Sequence, residues 1–409
     1  MYKSILEFIE KGTTKIEKIT KESLLSGNMM CFEEELFDTV LGFGRSLYQE
    51  ILESIEQTIR NSEVRRQSYY VEHKEDHRTL LTRFGNLEIK RAYYSSKQDG
   101  KGVYLLDKYI GLDSNEKVSL AAKAHALREA VETSYRKGGE EACLTDDVVT
   151  KQTVKNLIHD LEVEMPEEIP EKKKQIKTLH IQADEDHVAL QFYRKKGDLQ
   201  ISENGRKSNT VMPKLILLYE DIMEEGKPGS KRYRLTGKHY FGGVYEGAEA
   251  NEDLEEVERL LRKCGANAVT PGKQKEIEAC QKYIQNNWLG IIVRYDDAGA
   301  DWGCSAEGQI SHVLSARESS RPMGWSKLGV HKMTQLRVFT RNGGKVTDLL
   351  EYQHKKEQKE KRIAGHDELV REVKKSHKIS GEEIVRKEIP GLERTSMTWM
   401  RDMIYGRGA

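Results

Sequence analysis

The apolar residues in the N-terminal part of the chain follow a helical period and then a strand period. A repeat of three to four residues begins at residue 36 and predicts an amphipathic helix whose apolar side is a packing surface. Residues 79–94, TLLTRFGNLEIKRAYY, alternate on both sides of Phe84-Gly85-Asn86 and predict a β-hairpin. The positions with the helical repeat are Val40, Phe43, Leu47, Ile51, Ile55 and Ile59.

Two helical segments between residues 117 and 162 flank a short turn at Thr145-Asp146-Asp147, an order that resembles a helix-turn-helix. Thr150 is a favourable N-cap for the second helix. The start of that helix would then recognise DNA, because side chains there reach phosphates and base edges. An ordinary pair of packed helices fits the same pattern. The candidate DNA-binding residues are Lys151, Gln152, Thr153 and Lys155.

A charged segment with two prolines, EMPEEIPEKKKQ, predicts a linker at residues 166–175. Before it, residues 1–165 form a mainly helical region that includes the hairpin. After it, residues 176–345 show three strands and then alternating helices and strands, which predicts an α/β fold with a mixed sheet and flanking helices. Residues 346–409 are highly charged and helix-prone, typical of a solvated helix face, with contact to DNA as the alternative.

Charge, cysteine usage and absent motifs exclude several classes of protein. Basic and acidic residues both number 67, so binding of nucleic acid has to rest on local patches. Five widely spaced cysteines without a C-x-x-C pair argue against a disulfide framework or zinc ribbon and favour a reducing, cytoplasmic setting. No apolar run could span a bilayer, so we expect no membrane contact. The sequence has no Walker A, G-x-G-x-x-G or G-x-S-x-G motif, which disfavours nucleotide hydrolysis and serine-hydrolase chemistry.

The segment HIQADEDHVAL, residues 180–190, carries unusual charge for a strand of a predicted sheet. Alternation along a strand places Asp184 and Asp186 on the same face. A carboxylate buried in a sheet is costly unless it is paired or binds a cation, and Mg²⁺ prefers carboxylate oxygens. The strand therefore predicts half of a metal site. A charged strand end that faces solvent is the alternative.

A second candidate acid is Glu307, near the start of a predicted helix in GCSAEGQISHVLSAR. Its neighbours are small residues, which let the backbone approach another element or a substrate closely. Taken alone, Glu307 also fits an acid that is stabilised by the dipole of its helix. Pairing Glu307 with Asp184 therefore needs an independent reason.

That reason is a family resemblance over nearly the whole chain. Four segments closely resemble the ISLre-type insertion-sequence transposases of bacteria, a DDE-type group: LHIQADEDHVALQ, KHYFGGVYEG, YIQNNWLGI and GCSAEGQISHVLSARESSRPMGWSKLGVHKM. The hairpin TRFGNLEIKRAYY and the segment VYLLDKYIGL are similar to the family's N-terminal region. Residues 303–327 are the most specific part of the match.

The resemblance implies an RNase H-like catalytic domain over residues 176–345, in which two strand aspartates and one helical glutamate hold divalent cations. Carried over to this chain, Asp184 is the first strand carboxylate, Glu307 is the helical one, and Asp186 is a possible auxiliary. The implied cofactor is Mg²⁺ or Mn²⁺, which activates the nucleophile and stabilises the leaving oxygen. The implied partners are double-stranded DNA of the element's ends and target, bound by residues 145–162, and further copies of the chain.

The chain departs from the family between about residues 246 and 275, where the family has a longer segment with a Gly-Asp-Gly-Ala motif. The second catalytic aspartate and its strand are absent from that position, so we expect an incomplete sheet. Asp297 in YDDAGADW imitates the missing motif, but it lies ten residues before Glu307, and we do not assign it as a ligand.

The leading hypothesis is a DDE-type transposase that cleaves and transfers DNA strands with impaired activity, because such sites tolerate little misplacement. The alternative is a non-catalytic DNA-binding remnant that occupies the element's ends. Metal dependence separates the two, since a binding module holds DNA equally well in EDTA. A hydrolase with a carboxylate pair has no supporting motif beyond the acids themselves.

Overall fold

The computed structural model describes residues 2–165, 180–192, 200–201, 207–226, 233–244, 306–320, 324–361 and 365–376, together with residues 262, 278, 281, 282 and 363. The chain divides into two compact units. The first unit comprises Met1–Lys123, Glu140–Val148 and His354–Ala409, and the second comprises Ala124–Gly139 and Val149–Gln353. The predicted linker at residues 166–175 lies outside the described residues.

The described residues form a mixed α/β structure. The α-helices are α1 (Lys3–Glu7), α2 (Thr13–Ser26), α3 (Met29–Asn61), α4 (Glu63–Ser68), α5 (Leu105–Ile110), α6 (Leu120–Glu132), α7 (Tyr135–Glu140), α8 (Lys151–Asp160), α9 (Ala306–Ile310), α10 (Ala316–Glu318), α11 (Lys327–Arg341), α12 (Val346–Glu360) and α13 (His366–Ser376). Two π-helical turns, Phe8–Gly12 and Ser311–Ser315, follow α1 and α9. No helix in this described part is both long and apolar enough to cross a membrane.

The strands pair in short antiparallel ladders. They are β1 (Tyr69–Thr82), β2 (Gly85–Ser96), β3 (Gly102–Val103), β4 (His180–Glu185), β5 (Val188–Ala189), β6 (Gln200–Ile201), β7 (Lys207–Ser208), β8 (Thr210–Val211), β9 (Lys214–Tyr219), β10 (Asp221–Glu224), β11 (Tyr233–Thr236) and β12 (His239–Gly243). The two three-stranded sheets have the orders β1-β2-β3 and β12-β9-β4. The remaining strands form the pairs β10-β11, β5-β8 and β6-β7.

The predicted amphipathic helix is confirmed and lies within α3 of the first unit. Asn28 caps its start, because the Asn28 side chain accepts a hydrogen bond from the backbone N–H of Cys31. The second half of α3 packs on β2, and Leu52 and Ile59 are buried there. Of the predicted repeat, Ile59 is buried and Ile55 packs against the same core, whereas Val40 is 50% exposed, so only the second half of the repeat covers the sheet.

The predicted hairpin is confirmed as β1 and β2, with Thr82 opposite Gly85 at the turn. The strands are longer than the alternating segment, because the ladder continues to Tyr69 beyond two register shifts near residues 71–76. The inward side chains of both strands join α3, α5 and α13 in one core. Its fully buried members include Ile59, Leu80, Leu87, Ile89, Tyr94, Leu105 and Leu106.

This core also contains ionisable groups. The guanidinium of Arg78 donates to Oδ2 of Asp107 over 2.6 Å, and Arg91 donates to the same oxygen. Next to them, the hydroxyl of Tyr94 donates to Oε1 of Glu56 over 2.6 Å. Glu56 is only 3% exposed, and burial raises the pKa of its carboxyl to about 7. The charged form of Glu56 is therefore disfavoured in the folded first unit.

The second unit is built on the sheet β12-β9-β4. Leu215, Leu217 and Tyr219 of β9, together with Tyr240 of β12, are buried on one face of this sheet. They pack against side chains of α9, the second π-helical turn and α11, namely Ile310, Val313, Leu314 and Val338. This helical layer covers the face of the sheet on which the candidate site lies.

Gly242 in β12 permits the close approach of α11. A Cβ atom at Gly242 would lie 2.9 Å from the carbonyl oxygen of Lys214 and 3.0 Å from Cγ2 of Val338. At the same strand, the side chain of Asn342 accepts from the N–H of Tyr240 over 2.7 Å and donates to its carbonyl over 2.8 Å. The Asn342 side chain at the end of α11 thus pairs with the backbone N–H and carbonyl of Tyr240, groups that a neighbouring strand would otherwise pair at this sheet edge.

The helical segment predicted from residue 117 is interrupted. Helix α6 ends at Glu132, and α7 begins three residues later, at Tyr135. The connection from α7 to α8 is longer than the predicted turn at residues 145–147. The interruption has a packing cause, because Gly138 of α7 lies against α6, where a Cβ atom would meet the carbonyl oxygen of Ala126 at 2.5 Å. Residues 117–162 therefore form three helices, not the two helices and short turn of a simple helix-turn-helix.

We predict that Glu56→Gln makes the stability of the protein less sensitive to a rise in pH from about 4.5 to about 7. The pKa of Glu56 is raised in the folded state, so the wild-type chain loses stability as the pH rises from about 4.5 to about 7. Glutamine keeps the hydrogen bond to Tyr94 but has no charge to bury. The free energy of unfolding of the variant should exceed that of the wild type by up to about 3 kcal/mol at pH 8, with little difference at pH 4.5.

Denaturant unfolding at both pH values measures this difference. Glu53→Gln, one turn earlier on α3 and only half-buried, is the matched control and should follow the wild type. Equal effects of Glu56→Gln at pH 4.5 and pH 8 would contradict the assignment of a raised pKa.

Candidate functional site

Asp184 lies in β4 on the sheet face that the helices cover. It stands opposite Leu215 of β9, and its side chain is half-buried. Its Oδ1 accepts a hydrogen bond from the backbone N–H of Glu185 over 2.8 Å. Burial raises the pKa of the Asp184 carboxyl, and the charge of Asp186 raises it further. A nearby positive charge would favour the ionised form of a carboxylate in this position.

The opposite face of β4 carries an ion pair. Glu185 points away from Asp184 and is paired with the ammonium of Lys214, its cross-strand neighbour on β9. The predicted alternation is therefore confirmed over the length of β4, with Asp184 on one face and Glu185 on the other.

Asp186 does not continue the strand as the sequence pattern predicted. Strand β4 ends at Glu185, and β5 begins only at Val188. The N–H of Asp186 donates to the carbonyl oxygen of Pro213 over 3.1 Å, and its Oδ2 accepts from the hydroxyl of Ser319 over 2.7 Å. Asp186 leaves the ladder to make these contacts, yet it stays close enough for its charge to act on Asp184.

Glu307 lies in the first turn of α9 with an exposed side chain. Helix α9 contacts β4, and Oε1 of Gln309 accepts from the hydroxyl of Tyr240 over 2.6 Å. Ile310 at the end of α9 enters the core beneath the helical layer. The structure thus places the helix of Glu307 on the sheet face that carries Asp184.

A complete metal site is not formed by these residues alone. In the described ranges, no group of three or more His, Cys, Asp or Glu side chains is close enough to hold a metal ion. Asp297 lies outside the described residues, as do residues 246–275 apart from residue 262. Oδ2 of Asp184 accepts no hydrogen bond from any described residue, so it can serve as a ligand atom.

Sequence reasoning missed a buried carboxyl beside the site. Glu318 in α10 is 0% exposed, and the hydroxyl of Thr334 lies 3.2 Å from both of its oxygens. Burial raises its pKa to about 8, against the opposing effect of Arg337 and Arg317. Ser319, the next residue, binds Asp186, so this buried cluster adjoins the end of β4.

Arg337 of α11 is the other missed residue. It is 1% exposed and donates to the carbonyl oxygens of Val131, His312 and Val313. One signal could have found it, because Arg337 lies on the apolar stripe of α11, three and four residues after the buried Thr334 and Met333. A charge on such a stripe must be paired when the helix is buried.

Helix α8 has the N-terminus that the sequence predicted. The side chain of Thr150 accepts from the N–H of Thr153, and Val154 and Ile158 face the core. Lys151 and Gln152 are exposed, whereas Thr153 and Lys155 are half-buried. Of the four candidates, Lys151 and Gln152 are therefore the two whose side chains are open to solvent.

Comparison with known proteins finds several relatives in one bacterium, Caldanaerobacter subterraneus subsp. tengcongensis. One UPF0236 protein of this organism is 30% identical over 402 residues, which covers 84% of each chain. A second is 31% identical over 362 residues, which covers 75% of this chain and 76% of the relative. The name of the first relative joins eleven locus designations, and that of the second joins four.

The family model of UPF0236 matches residues 24–227 and 244–357 of this chain. The match includes Asp184 and Glu307, together with the hairpin β1–β2 and helices α8 and α11. It also includes the buried residues Glu318 and Arg337. From this match and from the relatives, the chain belongs to UPF0236, a family described as an uncharacterised protein family.

Proposed function

We propose that this protein is a DDE-type transposase of the ISLre type, with an RNase H-like domain that acts on DNA with Mg²⁺ or Mn²⁺. The observation that carries the proposal is the packing of α9, the helix of Glu307, on the sheet face that bears Asp184. Asp184 and Glu307 are far apart in sequence, but the strand and the helix that carry them are in contact. The resemblance of residues 303–327 to that transposase group supports the same assignment.

The relatives add independent support. A protein name that joins eleven loci of one genome describes a gene present there in many copies. Mobile elements spread by copying themselves, and a transposase gene is copied with its element. The multiplicity is therefore expected for a transposase and is unusual for a housekeeping enzyme.

The residues present fit a divalent cation. Asp184 has a raised pKa because it is partly buried and lies near Asp186, and a cation relieves both effects. Asp184 and Glu307 would hold the ion, with Asp186 as an auxiliary. When bound, the ion supplies activation of a water or 3′-hydroxyl nucleophile and stabilisation of the leaving oxygen.

We propose further that catalysis is impaired. The sequence carries no Gly-Asp-Gly-Ala motif, so the second strand aspartate of the family has no counterpart at its expected position. Two ligands bind a cation weakly and fix its geometry poorly. Binding of double-stranded DNA by α8, through Lys151 and Gln152, does not depend on this site.

We predict that Mg²⁺ or Mn²⁺ raises the melting temperature of the wild-type protein and leaves that of Asp184→Asn unchanged. In EDTA, Asp184→Asn should melt above the wild type, because the pKa of Asp184 is raised and its charged form is disfavoured in the folded state. Differential scanning fluorimetry with and without metal measures both effects.

Asp221→Asn is the matched control for this experiment, since Asp221 is exposed on β10 of the same unit. It should keep the metal-induced rise of the wild type. A rise of equal size in Asp184→Asn would show that the ion binds elsewhere.

We predict that Lys151→Ala weakens binding of a duplex taken from the DNA that flanks the gene. Loss of one phosphate contact should lower the slope of log Kd against log salt concentration by about one. Lys345→Ala, an exposed lysine before α12, is the control and should bind like the wild type. Unchanged affinity and slope in Lys151→Ala would contradict the role of α8.

We predict at most weak nicking of the same duplex in Mg²⁺ or Mn²⁺, with any product lost in Asp184→Ala. DNA binding in EDTA should persist, since it relies on phosphate contacts. Gel analysis of end-labelled duplex measures the products. Robust turnover that Asp184→Ala abolishes would refute the impairment but support the transposase site. Binding with no metal-dependent product at all would favour the non-catalytic remnant that occupies the element's ends.

A further inference from the structure

The hydroxyl of Ser319 holds the carboxylate of Asp186. Ser319 follows α10 directly, and its hydroxyl donates to Oδ2 of Asp186 over 2.7 Å. The other oxygen, Oδ1, accepts from the backbone N–H of His187 over 2.8 Å. A carboxylate can accept about four hydrogen bonds, so lone pairs remain on both oxygens of Asp186. The two hydrogen bonds therefore fix the orientation of this carboxylate and leave it able to bind a cation.

The backbone at Ser319 is anchored by the two residues before it. Glu318 and Arg317 are only 0% and 3% exposed. Nε of Arg317 donates to the carbonyl oxygen of Ala130 over 3.0 Å, and its guanidinium lies 4.8 Å from the ring centre of Trp325. The indole N–H of Trp325 donates to the carbonyl oxygen of Glu318 over 2.9 Å. The hydroxyl of Ser319 takes part in none of these contacts, so its position is set by the buried residues beside it.

The segment that carries Asp186 is held by the same tryptophan. The N–H of Trp325 donates to the carbonyl oxygen of Ala189 over 3.0 Å, and the N–H of Gln191 donates to the carbonyl oxygen of Trp325 over 2.8 Å. Trp325 thus binds the segment of Ser319 through its indole and the segment of Asp186 through its backbone. Because these contacts do not involve the Ser319 hydroxyl, removal of that hydroxyl should leave both segments in place.

Asp184 and Asp186 repel each other when both are ionised. Without a further contact, the half-buried side chain of Asp186 would relieve this repulsion by turning towards solvent. Its hydrogen bond to Ser319 opposes that rotation, because a hydroxyl that donates to a carboxylate forms a short, strong bond. Ser319 thereby keeps two acids close together, at a place where a cation would compensate for their repulsion.

We propose that Ser319 is a positioning residue for the metal site: its hydroxyl holds Asp186 beside Asp184, so that both carboxylates bind the same cation. The inference rests on the proposed function and deepens it. Asp186 becomes a ligand in place of the family aspartate that the sequence lacks at its expected position. Ser319 acts through Asp186 and is not itself a ligand.

The first test is Mn²⁺ binding by the full-length chain, measured by the electron paramagnetic resonance of free Mn²⁺. Ser319→Ala should raise the Kd for Mn²⁺ about tenfold, as expected when a group that orients a metal ligand is removed. Ser319→Thr keeps the hydroxyl and should restore most of the affinity. Asp186→Asn should weaken binding at least as much as Ser319→Ala, since it removes the charge itself.

Ser320→Ala is the matched control for Ser319→Ala. Ser320 is the exposed neighbour, and its hydroxyl donates to the carbonyl oxygen of Ala316 over 3.1 Å instead. The control should bind Mn²⁺ like the wild type. Both serine variants should keep the circular dichroism of the wild type, because the buried contacts of Glu318 and Arg317 do not involve either hydroxyl.

The second test needs no metal. Crystals of the wild-type protein grown in EDTA should show the carboxylate of Asp186 in one orientation, bound to Ser319. Crystals of Ser319→Ala should show this carboxylate turned away from Asp184, with the backbone at Asp186 and Trp325 unchanged.

The outcomes that overturn the proposal can be told apart. Wild-type affinity for Mn²⁺ in Ser319→Ala, or an Asp186 carboxylate that keeps its orientation there, would refute the positioning role and leave a site of Asp184 and Glu307 intact. A loss of affinity that Ser319→Thr does not restore, or that Ser320→Ala shares, would mean that Ser319 is only structural. A wild-type chain that binds no Mn²⁺ would refute the metal site of the proposed function, and this proposal with it.

Discussion

The buried guanidinium of Arg337 is the constraint on which the second unit depends. A charge that is 1% exposed has to be paired, and its donors reach the carbonyl oxygens of Val131, His312 and Val313. One side chain therefore fixes the end of α6 and the second π-helical turn against α11. Because that turn continues directly from α9, the same hydrogen bonds set where the helix of Glu307 lies on the sheet.

The packing of the helical layer on this sheet face also affects the ionisation of Asp184. The helical layer that buries Leu215 and Leu217 also desolvates Asp184 and raises its pKa. Asp186 adds a second negative charge, and its contact with Ser319 ties the end of β4 to the buried Glu318. Protein interiors do not tolerate such a concentration of acids without compensation. The proposed cation would supply that compensation, and we expect it to be bound weakly because the sequence has no Gly-Asp-Gly-Ala motif to provide a further aspartate.

The sequence predicted the elements whose patterns are local. The helical repeat located α3, the alternation around Gly85 located the hairpin, and alternation assigned Asp184 and Glu185 to opposite faces of β4. It could not predict where β4 ends, because Asp186 leaves the ladder for a hydroxyl 133 residues away in the chain. The break between α6 and α7 likewise depends on packing at Gly138, which has no periodic signal. The proposed joint role of Asp184 and Glu307 rests on the family resemblance, since no local pattern links residues so far apart.

The measurement that tests the proposed site most directly is an anomalous difference map from crystals of the protein soaked in Mn²⁺. Manganese accepts carboxylate oxygens as magnesium does, and its anomalous signal identifies it. We predict a peak within bonding distance of a carboxylate oxygen of Asp184 and of Glu307. A manganese peak elsewhere, with Asp184 and Glu307 both outside its coordination sphere, would contradict the proposed site.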